Sequence, residues 1–214
     1  MEFIDEELLR YSEEHTTAES ELLRKVNRQT HLNVLKPRML SGHLQGRLLA
    51  MFSQMVKPKQ VLEIGTYTGY SALCLAEGLQ PGGIIHTIDK NEELEDMVRG
   101  YIAEAGLTES IKLYIGNALD IVPTIDATFD MVFIDADKIN NATYYDMVFD
   151  RVAKGGYIIA DNVLWSGKVL EKYRKKLDED TAALLAFNKK VQDDERVENI
   201  LLPVRDGLMI ARKL

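Results

Sequence analysis

Five short apolar runs recur through the middle of this chain, and helical patterns lie between them. The runs occupy residues 61–65, 84–89, 111–116, 131–135 and 157–161. They are almost continuous in hydrophobicity, which is typical of parallel β-strands covered on both faces. Helices are predicted at residues 70–76, 91–105 and 141–152. This alternation indicates βαβ units and therefore an α/β fold around a parallel sheet.

The end of the chain follows a different pattern. Residues 197–204 and 208–212 have the composition of strands, and Arg205-Asp206-Gly207 lies between them. An Asp-Gly pair between two apolar runs predicts an antiparallel hairpin. The complete sheet is therefore expected to be mostly parallel and seven-stranded, with an antiparallel pair at its C-terminal end.

The first quarter of the chain has helical periodicity. One amphipathic helix opens near Thr17, and Ser41 is the expected N-cap of a second. Neither a repeat nor a linker composition interrupts the sequence. We therefore expect a single domain over residues 1–214, with a helical N-terminal cap at 1–56 and a sheet core at 57–214.

Composition and charge narrow the functional classes. The net charge of −8 argues against broad nucleic-acid contact, and the basic cluster at 172–176 is interpreted as a solvated helix face. Apolar runs of membrane-spanning length are missing from the sequence, and residues 1–6 lack a signal-peptide pattern. The single cysteine, Cys74, lies in an apolar helix and is expected to be a buried thiol. These features predict a cytoplasmic protein without membrane association.

A glycine-containing turn follows the first predicted strand. Glu63 ends that strand, and Gly65 and Gly69 bracket the turn. In an open α/β sheet, a nucleotide-like cofactor binds beyond the carboxyl end of this strand, and glycine lets the backbone approach it. The G-x-x-x-G spacing differs from the phosphate-binding fingerprint of dinucleotide enzymes. It suits S-adenosylmethionine, which is cationic and carries no phosphate, although a glycine-rich turn also occurs in unrelated α/β proteins.

Acidic residues end three of the predicted strands. Asp89 follows Gly69 by about twenty residues, where an acid accepts hydrogen bonds from a ribose diol. Asp135, Asp161 and Asn162 end the fourth and fifth strands and should converge at one edge of the sheet. Two carboxylates and an amide oxygen form a hard site that prefers Mg²⁺ or a similar divalent ion. The alternative is that these side chains cap helices or form turns.

Three motifs in this order carry a family resemblance: EIGTYTGYS at 63–71, DADK at 135–138 and DNVLWSG at 161–167. The chain resembles the cation-dependent O-methyltransferases of the caffeoyl-coenzyme A type, and catechol O-methyltransferases more distantly. The resemblance extends over about residues 39–208 and implies a Rossmann-like class I methyltransferase fold. It also implies transfer of methyl from S-adenosylmethionine to a hydroxyl of a catechol-like small aromatic acceptor, with Mg²⁺, Mn²⁺ or Ca²⁺ bound. A homodimer is implied in the same way.

The resemblance also assigns roles to individual residues. It implies that Lys138 takes the proton from the attacking hydroxyl. The implied metal ligands are Asp135, Asp161 and Asn162. The implied cofactor contacts are Ser41, Glu63, Gly65, Thr66, Ser71, Asp89, Ala118, Asp135, Asp137 and Tyr144. The implied acceptor contacts are Trp165 and Ser166.

Several alternatives remain open. Lys138 can instead form only an ion pair with Asp135 or Asp137, and Trp165 can be a core residue. Asn141 stands where the family commonly has tyrosine, and Leu44 where relatives have an acid before a Gln-Gly pair. The alternative acceptor is a hydroxylated uridine of tRNA, modified at the same metal site. A non-catalytic nucleotide-binding protein and a nicotinamide dehydrogenase are less consistent with these residues.

Overall fold

A seven-stranded sheet forms the centre of the molecule in a computed structural model that describes residues 5–214. The strands, in chain order, are β1 Gln60–Ile64, β2 Ile84–Asp89, β3 Ile111–Ile115, β4 Phe129–Ile134, β5 Val152–Asp161, β6 Val197–Leu202 and β7 Leu208–Lys213. Their order in the sheet is β3-β2-β1-β4-β5-β7-β6. The first five strands are parallel, and β7 pairs antiparallel with both β5 and β6. The predicted mostly parallel sheet with a C-terminal antiparallel hairpin is confirmed.

Eight α-helices accompany the sheet in the described residues. They are α1 Glu6–Glu14, α2 Glu21–Asn33, α3 Gly42–Val56, α4 Tyr70–Ala76, α5 Glu95–Glu104, α6 Ala118–Ile121, α7 Asn141–Phe149 and α8 Glu179–Gln192. None of these helices combines the length and the apolar character needed to span a bilayer. Residues 1–4, which begin the predicted helical cap and the N-terminal pattern considered above, lie outside the described residues.

The two faces of the sheet bury alternate residues of the same strands. On one face, Val61 and Phe133 pack with residues of α2 to α5. On the other, Leu62 and Val132 pack with residues of α7 and α8. Strand side chains alternate between faces, so nearly continuous apolar runs are needed when helices cover both sides.

Several predicted boundaries were wrong, each for a local reason. The hairpin loop spans residues 203–207 because Pro203 cannot donate to a strand ladder and so ends β6 before Val204. The predicted fifth strand is longer, because β5 begins at Val152, which pairs with Phe129 before a register shift. The cluster at 172–176 does not form a helix face, since only a 3₁₀ turn at Glu171–Tyr173 precedes a loop.

The N-terminal helices also differ in detail from the prediction. The helix expected near Thr17 begins at Glu21, with the Ser20 hydroxyl accepting from the Leu23 amide at 3.2 Å. Ser41 occupies the N-cap position of α3 but forms no side-chain capping bond. The hydroxyl of Thr30 on α2 donates to that of Thr68 at 3.0 Å, which ties this segment to the glycine turn. The division into a cap and a core stays a prediction.

Cys74 is expected to resist modification in the native protein. Its side chain is fully buried in α4, and burial raises the pKa of the thiol to about 12 despite the opposing charge of Arg47. Because the thiolate is the reactive form, Ellman's reagent at pH ~8 should label no thiol in native protein and one in guanidinium chloride. Rapid labelling of native protein would contradict this placement.

Candidate active site

The site is built where three neighbouring strands end. Ile64 of β1 pairs with Ile134 of β4, and Ile134 pairs with Ala160 of β5. The next residues, Gly65, Asp135 and Asp161, therefore lie side by side, with adjacent strands about 4.8 Å apart. Chain connections leave β1 and β4 in opposite directions at this point, which is where α/β sheets open a crevice for ligands.

The two glycines of the turn are required by the protein's own backbone geometry and packing. Gly65 has φ +105°, and a Cβ there would lie 2.2 Å from the carbonyl oxygen of Asp135. Gly69 has φ +82°, and its Cβ would lie 3.2 Å from a methyl carbon of Val98. Both glycines were expected to make room for a ligand. The structure provides a different reason at Gly65, because neighbouring backbone already occupies the space a Cβ would need, whereas the positive φ is what favours glycine at Gly69.

The glycine turn and the start of α3 line one small crevice at this edge. Five of the residues assigned to cofactor binding come together there: Ser41, Gly65, Thr66, Ser71 and Asp135. The hydroxyl of Thr66 bonds to that of Thr87 on β2, which fixes the base of the turn. The crevice is therefore bordered by the glycine turn and by the segment that leads into α3.

Glu63 lies fully buried at the end of β1, close to the crevice. One carboxyl oxygen accepts a hydrogen bond from the hydroxyl of Thr87, and the other has no well-aligned hydrogen bond among the described residues. Burial raises the pKa of Glu63 to about 8, and the hydroxyls of Ser71 and Thr87 oppose that rise. An unpaired buried acceptor is costly without a partner. A cationic cofactor fits this environment because positive charge favours the ionised carboxylate.

Asp89 and Ala118 occupy the neighbouring strand ends. The carboxylate of Asp89 accepts from the amides of Tyr67 at 2.6 Å and Asn91 at 2.9 Å, so its orientation is fixed. Ala118 is buried at the start of α6, where the Asn117 side chain caps the helix. Each oxygen of Asp89 keeps capacity for a further donor, such as a hydroxyl.

Asp137 and Tyr144 contact each other. The Tyr144 hydroxyl donates to Asp137 Oδ2 at 2.8 Å, and the Asn140 side chain donates to Oδ1 at 2.6 Å. Asp137 also occupies the N-cap of the 3₁₀ turn Lys138–Asn140. Asp137 therefore has a structural role in capping this turn, and both residues support the segment that carries Lys138.

The candidate metal ligands include two adjacent carboxylates, of which Asp161 is buried and Asp135 partly buried. Asp161 Oδ1 accepts a hydrogen bond from the backbone N–H of Asn162 at 2.7 Å, and Asn162 has φ +61°. Burial raises the pKa of Asp135 to about 7; Lys138 opposes that rise and the nearby Asp161 adds to it. A cation would relieve the repulsion between the carboxylates, and oxygen donors suit Mg²⁺. Residues 5–214 contain no cluster of three His, Cys, Asp or Glu side chains placed to bind one metal ion. A third ligand beside Asp135 and Asp161 would therefore be the amide oxygen of Asn162.

Lys138 faces this pair. Its side chain is only 8% exposed, and Nζ donates to Asp135 Oδ1 at 3.1 Å. The ion-pair alternative for Lys138 is therefore present. The same contact holds the amine at the edge of the candidate metal site.

The loop after Asn162 borders the site. Trp165 and Ser166 both have positive φ, +49° and +51°, and the Trp165 amide donates to the Asn162 carbonyl at 3.2 Å. The carboxylate of Asp206, in the hairpin loop, accepts from the Ser166 amide, and its carbonyl accepts from the Leu164 amide at 2.8 Å. The indole nitrogen of Trp165 is buried without a partner among the described residues, unlike that of a satisfied core tryptophan.

Two residues that contact the site, Gln45 and Arg205, were not predicted from the sequence. Asn141, which stands where the family commonly has tyrosine, also has an unusual environment. Gln45 is buried against Asp161, and Arg205 contacts Gln45. The Gln-Gly pair was visible in the sequence, but nothing local connects it to a strand end 116 residues away. Asn141 is fully buried at the start of α7, and neither polar atom of its side chain has a partner in residues 5–214.

Comparison with known proteins agrees with this geometry. The family model described as O-methyltransferase matches residues 13–214. Caffeoyl-CoA O-methyltransferase 1 of Arabidopsis thaliana is 36% identical over 180 residues, which cover 79% of this chain and 70% of the relative. Tricin synthase 2 of Oryza sativa subsp. japonica is 32% identical over 186 residues, covering 82% and 64%.

Solved structures give the same result. An SAH-bound methyltransferase of Podospora anserina has a TM-score of 0.90 at 27% identity, covering 98% of this chain and 94% of that one. An O-methyltransferase of Bacillus cereus in complex with SAH has a TM-score of 0.87 at 29% identity, covering 96% of each chain. The expected fold and enzyme class are confirmed, and the chain belongs to the O-methyltransferase family.

Proposed function

We propose that the protein transfers methyl from S-adenosylmethionine to one hydroxyl of a catechol-like small aromatic acceptor. A divalent cation, Mg²⁺ or alternatively Mn²⁺ or Ca²⁺, would be held by Asp135, Asp161 and Asn162. The observation that carries the proposal is the pairing of Asp135 and Asp161 beside the glycine turn, with the buried amine of Lys138 3.1 Å from Asp135.

The cofactor assignment rests on charge and shape. The crevice is lined by Ser41, Thr66 and Ser71, and the buried carboxyl of Glu63, at the end of the preceding strand, suits a cationic ligand. Asp89 at the next strand end suits a ribose diol. The Podospora anserina and Bacillus cereus relatives hold SAH, the product of methyl transfer from S-adenosylmethionine.

The transfer depends mainly on alignment. Methyl passes in line from sulfur to oxygen, so the chain must hold the acceptor hydroxyl opposite the sulfonium. A bound divalent cation would supply Lewis acidity that favours the phenolate over the phenol. Asp135, Asp161 and Asn162 would hold that ion. Lys138 would receive the hydroxyl proton at Nζ, and Trp165 would border the flat ring.

The contacts of the basic cluster favour a small acceptor over tRNA. Lys168 Nζ donates to Asp178 at 3.0 Å. Arg174 donates to the carbonyls of Lys168 and Val169, both at 3.0 Å, and to Glu171 at 3.3 Å. These cations are already used within the loop, which leaves Lys172, Lys175 and Lys176 for a polyanion that normally needs many contacts.

Assembly and location belong to the same proposal. A homodimer follows from the family resemblance, and a cytoplasmic location follows from the single buried thiol. Light scattering of purified protein would test the assembly, since a monomer at micromolar concentration contradicts it.

Labelled methyl transfer is the direct test of function. Caffeate-type catechols and tRNA should be assayed in parallel, each with Mg²⁺ and with EDTA. We expect labelling of the catechols that chelator abolishes. Asp161→Asn should lose activity by about 10²-fold or more, because metal chemistry contributes several kcal/mol. Asp146→Asn, which removes a surface partner of Lys190, is the matched control.

The outcomes separate the parts of the proposal. Labelling of tRNA alone would show that the acceptor is RNA and not a small aromatic molecule, while the assignment of the metal site would stand. Transfer that persists in EDTA would overturn the metal assignment. No transfer to either acceptor, with S-adenosylmethionine still bound, would overturn both acceptor assignments.

A further inference from the structure

A buried chain of hydrogen bonds connects three distant segments behind the two carboxylates. The side chain of Gln45, fully buried on α3, donates from Nε2 to Asp161 Oδ2 at 2.7 Å. Its Oε1 accepts from Arg205 Nη1 at 2.9 Å. Arg205 also donates to the carbonyl of Ser41, one turn earlier in the chain than Gln45. The helix, the end of β5 and the hairpin loop are therefore joined at one point.

The chemistry of the two partners dictates the orientation of the Gln45 amide. A guanidinium can only donate and an ionised carboxylate can only accept. The amide oxygen must therefore face Arg205, and the NH₂ group must face Asp161. The other oxygen of Asp161 accepts a hydrogen bond from the backbone N–H of Asn162 at 2.7 Å. Each carboxylate oxygen thus has one donor, which fixes the rotamer and leaves a further acceptor position on each.

The donor to Asp161 is neutral, whereas Asp135 is paired with the ammonium of Lys138. A cationic donor directly on Asp161 would offset its charge and compete with any cation that it binds. An amide orients the carboxylate without neutralising it. The positive charge of Arg205 lies one group further away, where it holds the amide.

We propose that Gln45 is a positioning residue, held by Arg205, that orients the Asp161 carboxylate to bind a divalent cation. This inference rests on the metal site of the proposed function. Groups behind metal ligands typically change metal affinity by about 10–100-fold when they are removed. A merely structural tie between α3 and the hairpin would change stability and leave the metal affinity of folded protein unchanged.

The test is a Mn²⁺ titration by calorimetry or paramagnetic resonance, without cofactor or acceptor, on folded protein. Gln45→Met keeps the length of the side chain and removes the donor. Gln54→Met is the matched control, because Gln54 is an exposed glutamine on the same helix. We expect the Kd for Mn²⁺ to rise about 10–100-fold in Gln45→Met and to stay at the wild-type value in Gln54→Met.

A second pair keeps the inference testable if Gln45→Met does not fold. Arg205→Lys retains a donor for the amide oxygen, and Arg205→Met removes it. We expect Arg205→Met to bind Mn²⁺ more weakly than Arg205→Lys. Urea unfolding in EDTA, measured on every variant, reports stability separately from metal affinity.

Each result decides between the roles. Wild-type Mn²⁺ affinity in Gln45→Met, together with a lower urea midpoint, would overturn the positioning role and leave only a structural tie. Equal affinities in the two Arg205 variants would overturn the part assigned to Arg205. If wild-type protein itself binds no Mn²⁺, the proposed metal site fails and this inference fails with it, which is a distinct result from selective loss in the variants.

Discussion

Replacing Lys138 with methionine is expected to lower kcat for methyl transfer about 10²–10⁴-fold, the range typical of a removed general base. Binding of S-adenosylmethionine should be unchanged, since Lys138 is not among the residues that line the crevice at the glycine turn. Steady-state kinetics with a catechol acceptor and a separate cofactor titration measure the two quantities. Lys190→Met removes a lysine from a surface pair with Asp146 and is the matched control.

Arginine at the same position separates a base from an ion-pair partner. Lys138→Arg keeps a cation beside Asp135, but a guanidinium stays protonated in proteins and cannot accept the hydroxyl proton. We therefore expect Lys138→Arg to be as slow as Lys138→Met. Activity close to wild type in Lys138→Arg would show that the residue acts only through its charge, and the proposed proton transfer to Lys138 would be wrong.

The second large effect is expected on stability. Gly65→Ala should lose about 3–6 kcal/mol of unfolding free energy, since it combines a strained positive φ with a collision against backbone. The added Cβ would lie 2.2 Å from the carbonyl oxygen of Asp135, and β4 cannot move away without breaking its ladder with β1. At about 2–4 °C per kcal/mol for a chain of this size, Tm should fall by roughly 6–24 °C.

Two other glycines isolate the contributions. Gly82 has φ +72° in open space, so Gly82→Ala tests the backbone conformation alone and should cost about 1–2 kcal/mol. Gly100 lies on the exposed face of α5 with open space around it, so Gly100→Ala should gain about 0.5–1 kcal/mol. Urea unfolding measures all three. A Gly65→Ala loss no larger than that of Gly82→Ala would mean that the contact with Asp135 relaxes.

The direction of the strands could be predicted because it depends on local patterns, whereas their order in the sheet was not predicted. Apolar runs with helices between them specify parallel strands, and parallel strands in one sheet end at one edge. That geometry is enough to predict that Asp135 and Asp161 lie together. The hairpin was predicted in type but not in length, because Pro203 ends β6 earlier than hydrophobicity alone suggests.

The rest of the site depends on contacts that sequence spacing does not encode. Gln45 is an ordinary helical residue until α3 packs against the end of β5. Asp137 and Tyr144 stand where the family resemblance implies cofactor contacts, and the structure shows that they also form a hydrogen bond with each other at 2.8 Å. The reason for Gly65 was also hidden, since the atom that excludes a side chain belongs to Asp135, about seventy residues later in the chain.

The hairpin loop at 203–207 couples the start of α3 to residues 163–166, so changes in these two segments depend on each other. Arg205 reaches back to Ser41 and Gln45, while Asp206 and Gly207 bond the backbone of residues 163–166. Substitutions at residues 163–166 and at the start of α3 therefore share one physical neighbour, and their effects will not add. A variant that exchanges residues 163–166 needs a compatible hairpin loop, and with it a compatible α3.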